Sequence, residues 1–306
     1  MPNTDENTLT ERLGGVNAVL IAPFRDGTGP LDSKLMTELA RSCDEAGIHA
    51  VTALGNTAEL YQLTEDERLE LLRAVAAGAS NAVRVAGLAG AAPDALRLAE
   101  AAAGLGYDAV MLHEPLDPLA GDRGIADFLA DLAERSPLPS LIYIRTPRLS
   151  RESIARLVRL PKVVGVKYAR PEMNLLGSLL ADEELRTACA WACGSAESMV
   201  PAMRGHGLIG FTSGLANVRP DLALGVYEAS RDGDLGLLAE RVRQVLPFEL
   251  MRTRDGGRHN VSVVKWALRE AGMDVGGVRA PCEDLGEAET AALRGILAGW
   301  PAAPAA

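Results

Sequence analysis

A (β/α)8 barrel, or TIM barrel, with a C-terminal three-helix extension is the fold class this sequence predicts. Eight short apolar runs alternate with helix-patterned segments over about 220 of the residues. The stretches joining successive runs are too long for hairpins, so the strands pair in parallel through helical crossovers. The 306-residue length suits one barrel plus an appendage. A doubly wound open sheet is the runner-up, but no G-x-G-x-x-G turn follows the first run.

The polar residues 1–12 read as a disordered or extended arm, 13–232 as the barrel and 233–306 as the helical extension. Gly15 to Ala22 is apolar and stopped by Pro23, as a first strand would be. Asp32 caps a helix from Ser33 to Ala46, with Leu35, Leu39 and Cys43 at helical spacing and Gly47 closing it. His49 to Gly55 is the second strand. Thr64 and Glu67 form a capping box for the helix through Ala79. The alternation continues with a strand at Val83 to Ala89 and a helix at Pro93 to Leu105. A strand at Ala109 to His113 and a helix at Ile125 to Arg135 come next. Strands at Ser140 to Arg145, Val163 to Tyr168, Ala188 to Gly194 and Leu208 to Ser213 follow. Their helices run from Arg151 to Arg159, Glu172 to Ala181, Ala196 to Arg204 and Pro220 to Ser230. The extension reads as Leu237 to Met251 kinked at Pro247, Val261 to Ala271, and Glu287 to Ala298, before a disordered tail at Pro301 to Ala306.

Hydrophobic residues make up 48%, enough for a large core, and 31 basic against 41 acidic residues leave a charge of −10. With no basic stripe, that balance argues against a nucleic-acid surface. The N-terminus lacks an apolar signal region and no apolar run is long enough to cross a bilayer, so the expectation is a cytoplasmic protein without membrane partners. Cys43, Cys189, Cys193 and Cys282 have no Cys-x-x-Cys spacing and read as free thiols, with no metal site.

The stretch Val163-Val164-Gly165-Val166-Lys167-Tyr168 is a buried strand carrying one lysine. Alternation puts Val163, Gly165 and Lys167 on one side. Burial lowers an ammonium pKa and frees the amine that attacks carbonyls, although a strand-end lysine snorkelling to water fits this stretch alone equally well. The same parity aims Tyr143 and Arg145 of the fifth strand and His113 of the fourth inward, and Thr57 lies just past the second. Taken singly, Tyr143 suits a core position and Arg145 a surface loop. Together they crowd one barrel mouth, where Arg and Lys have no structural purpose without a ligand or counter-charge.

These residues resemble the pyruvate-type class I lyases typified by dihydrodipicolinate synthase and N-acetylneuraminate lyase, from about Gly15 to Ala271. Gly55-Asn56-Thr57-Ala58-Glu59 resembles the family's carboxylate-cradling G-[ST]-T-G-E loop. Ile142-Tyr143 followed by Arg145 and Arg148 resembles the strand of the proton-shuttling tyrosine, and Val164-Gly165-Val166-Lys167 that of the Schiff-base lysine. Gly210-Phe211-Thr212-Ser213 and Asn260-Val261-Ser262-Val263-Val264-Lys265 resemble the eighth strand and a C-terminal N-P-x-x-x-K helix start. The chain also departs from the pattern. Asn56 stands where the synthase has a relaying hydroxyl, and His113-Glu114-Pro115-Leu116-Asp117-Pro118 where it has a tyrosine pair. Tyr143-Ile144-Arg145 is closer to the Y-N-R-D of keto-deoxy-glucarate dehydratases.

The resemblance implies a lyase in which Lys167 forms an imine with a 2-keto acid and Tyr143 shuttles protons. Gly55, Asn56, Thr57 and Ser213 would contact the substrate, Arg145 and Arg148 its distal carboxylate or hydroxyls. His113 and Asp117 would act as selectors or acids. No cofactor beyond the covalent imine is expected, and a homo-oligomer, dimer or tetramer, is implied. A keto-deoxy sugar acid dehydratase or aldolase is the leading expectation. The alternatives are a dihydrodipicolinate synthase joining pyruvate to aspartate semialdehyde, and a keto-acid-binding barrel without turnover.

Overall fold

The computed structural model describes residues 4–303. Eight parallel strands close into a barrel in chain order. They are β1 (Val16–Val19), β2 (Ala50–Ala53), β3 (Val83–Leu88), β4 (Ala109–His113), β5 (Ser140–Ile144), β6 (Val163–Tyr168), β7 (Ala190–Cys193) and β8 (Phe211–Ser213). The helices between them include α2 (Ser33–Glu45), α3 (Glu65–Gly78), α4 (Ala92–Gly104), α5 (Asp122–Arg135), α6 (Arg151–Val158), α7 (Met173–Leu180) and α10 (Pro220–Asp232). Local signals set their starts: Asp32 accepts from the Leu35 N–H at 3.0 Å, and the Thr64–Glu67 capping box opens α3.

Alternation divides the strand residues between two cores. Ala50, Val83, Val85, Ala109, Met111 and Leu141 fill the barrel interior, whereas Val51, Ala86, Val110, Ile142 and Val166 face the helices. The ladder register then puts Tyr143 beside both His113 and Lys167. This is the geometry that collects inward polar groups at the C-terminal mouth.

Four details differ from the sequence expectation. The segment Thr4–Leu13, read as disordered or extended, is a helix (α1), and its Leu9 and Leu13 pack into the interior cluster. Two leucines four residues apart suffice to plug the barrel floor, although they make too sparse an apolar stripe to stand out in a polar segment. Residues 1–3, also assigned to that arm, and 304–306 of the expected tail lie outside the described residues.

In β6 the register slips by one residue between Val163 and Gly165 opposite Ser140 and Leu141. This bulge sends Val163 outward and packs Val164 against the interior, while Gly165 and Lys167 keep their places. A further short helix, α8 (Glu183–Ala188), precedes β7, capped by the Asp182 carboxylate. It is followed by α9 (Val200–Arg204).

The extension consists of α11 (Leu235–Gly257), α12 (Asn260–Glu270) and α13 (Glu287–Ala298). The helix α11 runs past the expected end at Met251, with Pro247 inside it, and leaves helical φ/ψ at Arg254, Asp255 and Gly256. Asp255, Gly256 and Gly257 adopt positive φ, which the two glycines take without a Cβ clash.

A buried ion pair fastens α12 to the β2 loop. Lys265 Nζ lies 2.6 Å from Glu59 Oε1 and donates to the Gly277 carbonyl at 2.7 Å. Arg279 pairs with Glu67 at 2.6 Å, and both cations lie 4.0 Å from the Phe24 ring centre. No helix among the described residues is long and apolar enough to cross a membrane.

Candidate active site

The ends of β5 and β6 set the centre of the site. Lys167 is buried, and its Nζ lies 4.2 Å from the centre of the Tyr143 ring. Gly194, just past β7, makes that placement possible, because a Cβ there would fall 2.9 Å from Lys167 Cγ and 2.7 Å from Ala169 Cβ. Burial, followed by the positive charges of Arg145 and Arg252, pushes the Lys167 ammonium down from 10.5 to about 7. A large share of the side chain is therefore free amine at neutral pH. Burial holds the Tyr143 phenol above its usual range, and Asn56 Nδ2 donates to its oxygen at 3.5 Å.

These groups face a cavity of about 350 Å³, which Asn56, Thr57, Arg145 and Thr212 also line. The Asn56–Ala58 turn is held between Leu54 and Glu59, both at positive φ near 55–59°, and Ala196 on the opposite side of the mouth has φ 58°. Three non-glycine residues in the left-handed region around one cavity mark backbone conformation imposed by the surrounding packing.

The far wall comes from the extension. Arg252 is buried with its guanidinium donating to both Glu249 carboxylate oxygens, at 2.8 and 3.0 Å, and to Asn260 Oδ1 at 3.1 Å. The Gly214 Cα leaves its space, since a Cβ there would meet the guanidinium at 2.1 Å. Next to it, burial and the nearby Glu249 carboxylate push the Glu197 carboxyl well above the usual carboxylate range. Among the described residues no three His, Cys, Asp or Glu side chains gather as a metal site, and all four cysteines are free thiols.

Residues 12–299 match the model of the Dihydrodipicolinate synthetase family. The chain belongs to this family. It is accordingly a class I lyase on a TIM barrel. It is 29% identical over 294 residues to the 4-hydroxy-tetrahydrodipicolinate synthase of Corynebacterium diphtheriae, covering 94% of this chain and 95% of that protein. It is 32% identical over 301 residues to the Probable 5-dehydro-4-deoxyglucarate dehydratase 2 of Streptomyces avermitilis, covering 94% and 89%. The crystal structure of dihydrodipicolinate synthase from Oceanobacillus iheyensis superposes with a TM-score of 0.93 at 30% identity, covering 97% of this chain and 99% of that one.

Within this family member, Lys167, Tyr143, Thr57, Asn56 and Arg145 meet in one cavity, and five other residues singled out from the sequence lie elsewhere. Gly55 starts the turn with its Cα against Val19, where a Cβ would come within 2.3 Å of Val19 Cγ1. His113 sits beside Tyr143, with ring centres 5.2 Å apart, and lines a separate cleft. Asp117 is exposed on the outer surface, its carboxylate accepting from the Leu119 N–H at 2.8 Å. Arg148 donates to the Pro115 and Asp117 carbonyls at 2.6 and 3.0 Å and to the Thr146 hydroxyl at 3.1 Å, so its guanidinium ties the β4 loop to the β5 loop. Ser213 points outward, sharing a hydrogen bond with Glu197 and accepting from the Ala216 N–H at 2.8 Å.

The inward residue of β8 is Thr212, one position away from Ser213, as the outward packing of Phe211 requires. Arg252, Glu249 and Glu197 were also missed. On a helix, Glu249 and Arg252 look like an ordinary i,i+3 surface pair, and only the Gly256-Gly257 break signals that the helix ends against a cavity. Glu114 accepts from the Arg145 and Thr146 N–H groups at 2.7 and 3.1 Å, which fixes the backbone that carries Arg145.

Proposed function

We propose that this protein is a Schiff-base dehydratase of a keto-deoxy sugar acid carrying a second, distal carboxylate. The observation that carries this reading is the buried Lys167 amine, poised near neutrality and set 4.2 Å over the Tyr143 ring in a cavity with two guanidiniums. The amine adds to the C2 carbonyl of the 2-keto acid, and the carbinolamine loses water to give an iminium. Tyr143 accepts and returns the protons of that collapse. The iminium acidifies C3, loss of a C3 proton gives the enamine, and the enamine expels the C4 hydroxyl as water. Hydrolysis of the imine then frees Lys167, so the net change is loss of one water from substrate.

Thr57 and its backbone suit the C1 carboxylate. Among the described residues its hydroxyl has no hydrogen-bond partner, and it faces the cavity. Arg145 and Arg252 suit the distal carboxylate. Arg252 takes the place first expected of Arg148, because its fifth N–H is not used by Glu249 or Asn260. The iminium itself is the electron sink, so this reading calls on no further cofactor. The dehydratase relative at 32% identity supports it.

The relatives named synthases favour a second reading, condensation of pyruvate with aspartate semialdehyde. Against it stands Asn56, which lacks the hydroxyl of the synthase loop. Assay of purified protein with a keto-deoxy sugar diacid and, separately, with pyruvate plus aspartate semialdehyde decides between them. Dehydration of the diacid is expected. Turnover of the semialdehyde pair alone would replace this reading with the synthase.

A further inference from the structure

Arg145 reaches the cavity without an internal partner. Its side chain is exposed and lines the main cavity, and among the described residues its guanidinium makes no hydrogen bond or ion pair. The same side chain borders the outer cleft beside Tyr61 and His113, so the cation has two places to go. An arginine has many rotamers, and which of them reach the cavity depends on the backbone beneath.

That backbone is not held by the barrel. The strand β5 ends at Ile144, whose carbonyl accepts from the Ala169 N–H at 2.8 Å. Tyr143 is therefore fixed by the sheet, whereas Arg145 lies just past its end. What holds Arg145 is Glu114, the residue after β4 and 6% exposed. Its Oε1 accepts from the Arg145 N–H at 2.7 Å and the Thr146 N–H at 3.1 Å. Its Oε2 accepts from the Thr146 hydroxyl and lies 3.6 Å from Arg148 Nη2. A carboxylate has about four lone-pair sites, and here each faces a donor or a cation. Glu114 also borders the outer cleft, yet it has no site left for the Arg145 guanidinium. The cation stays available to an anion in the main cavity.

We propose that Glu114 is a positioning residue for substrate specificity: it sets the backbone past β5 so that Arg145 presents its guanidinium to the distal carboxylate of a 2-keto diacid. This role rests on Arg145 holding that carboxylate. Glu114 acts through Arg145 and does not itself touch substrate. Its reach and its acceptor oxygen matter more than its charge, which Arg148 already meets.

The test compares two probes of equal chain length, 2-oxoadipate, which carries a distal carboxylate, and 2-oxohexanoate, which does not. The readout on the intact protein is the concentration of each that half-saturates borohydride-trapped adduct on Lys167. Wild type is expected to favour the diacid by roughly tenfold or more, and Arg145→Met to lose most of that preference. Glu114→Ala removes the carboxylate and Glu114→Asp draws it back by one methylene. Each is expected to weaken 2-oxoadipate by roughly tenfold while 2-oxohexanoate stays within about twofold. Glu114→Gln keeps the reach, with an amide oxygen to accept both N–H groups, and is expected to stay within about threefold of wild type for both probes. In the Arg145→Met background, Glu114→Ala is expected to change 2-oxoadipate by no more than about twofold.

Unchanged 2-oxoadipate binding in Glu114→Ala overturns the proposal, and Glu114→Asp decides the same point should the alanine variant not fold. Equal weakening of both probes also overturns it, because that marks a packing role. So does a Glu114→Gln variant as weak as Glu114→Ala, or a full further loss in the Arg145→Met background. A wild-type protein without preference for the diacid, or an Arg145→Met variant that keeps the preference, brings down the distal-carboxylate reading itself. Failure of the Glu114 variants alone leaves that reading standing.

Discussion

Lys167 divides between ammonium and amine at neutral pH, and its surroundings set that division. Only the amine attacks a carbonyl, so kcat/KM for a 2-keto acid is expected to rise with pH through a midpoint near 7, measured as a pH-rate profile. Arg145→Met removes one of the charges that depress Lys167, and the same limb is expected to move to higher pH. The depressed pKa also bears on stability. A lysine titrating near 7 in the fold and near 10.4 unfolded binds fewer protons when folded, so its contribution improves from pH 7 to 10 and is worst below 7. Lys167→Met is accordingly expected to abolish turnover and to stabilise the protein at pH 7 by about 1–3 kcal/mol, read as a raised denaturation midpoint. The inward direction of Lys167 and Tyr143 could be anticipated from sequence because alternation in a buried strand fixes it. The pairing of Arg148 with three loop acceptors could not, since a loop arginine has no periodicity to say where it points.

Elements decide the wall of the cavity opposite Lys167. The break in α11 turns Arg252 and Glu249 from a helix-surface pair into a cavity lining, and Gly214 after β8 supplies the room for the guanidinium. Gly214→Ala is expected to displace Arg252 and to raise KM for a diacid substrate by roughly tenfold while kcat changes little, since the distal group is bound alike in ground and transition states. A comparable loss of kcat would argue that Arg252 acts nearer the reacting atoms. The strand and helix succession was legible throughout the barrel because periods of 2 and 3.6 persist over whole elements. What escaped was phase and punctuation. The β6 bulge exchanges the sides of Val163 and Val164, and a one-residue phase on β8 separates Ser213 from Thr212. The helix α1 escaped because its reason for folding is the barrel floor it plugs. Leu13→Ala is expected to cost about 2–4 kcal/mol in chemical denaturation.

Across the whole molecule, the extension and the barrel share one mouth. The buried Lys265–Glu59 pair and the Arg279–Glu67 pair hold α12 and its following segment against the loop that carries Asn56 and Thr57. Removing one partner leaves a buried charge uncompensated, so Lys265→Met is expected to cost about 3–5 kcal/mol and to weaken binding of a 2-keto acid, as measured by denaturation and by calorimetric titration. Family membership, a closed barrel and a cavity built from both parts of the chain are the grounds on which imine chemistry at a single amine is proposed. Borohydride reduction in the presence of a 2-keto acid, followed by peptide mass spectrometry, tests that most directly. The account predicts one stable adduct, on the peptide containing Lys167 and lost in Lys167→Arg; an adduct elsewhere, or turnover retained by that variant, would contradict it.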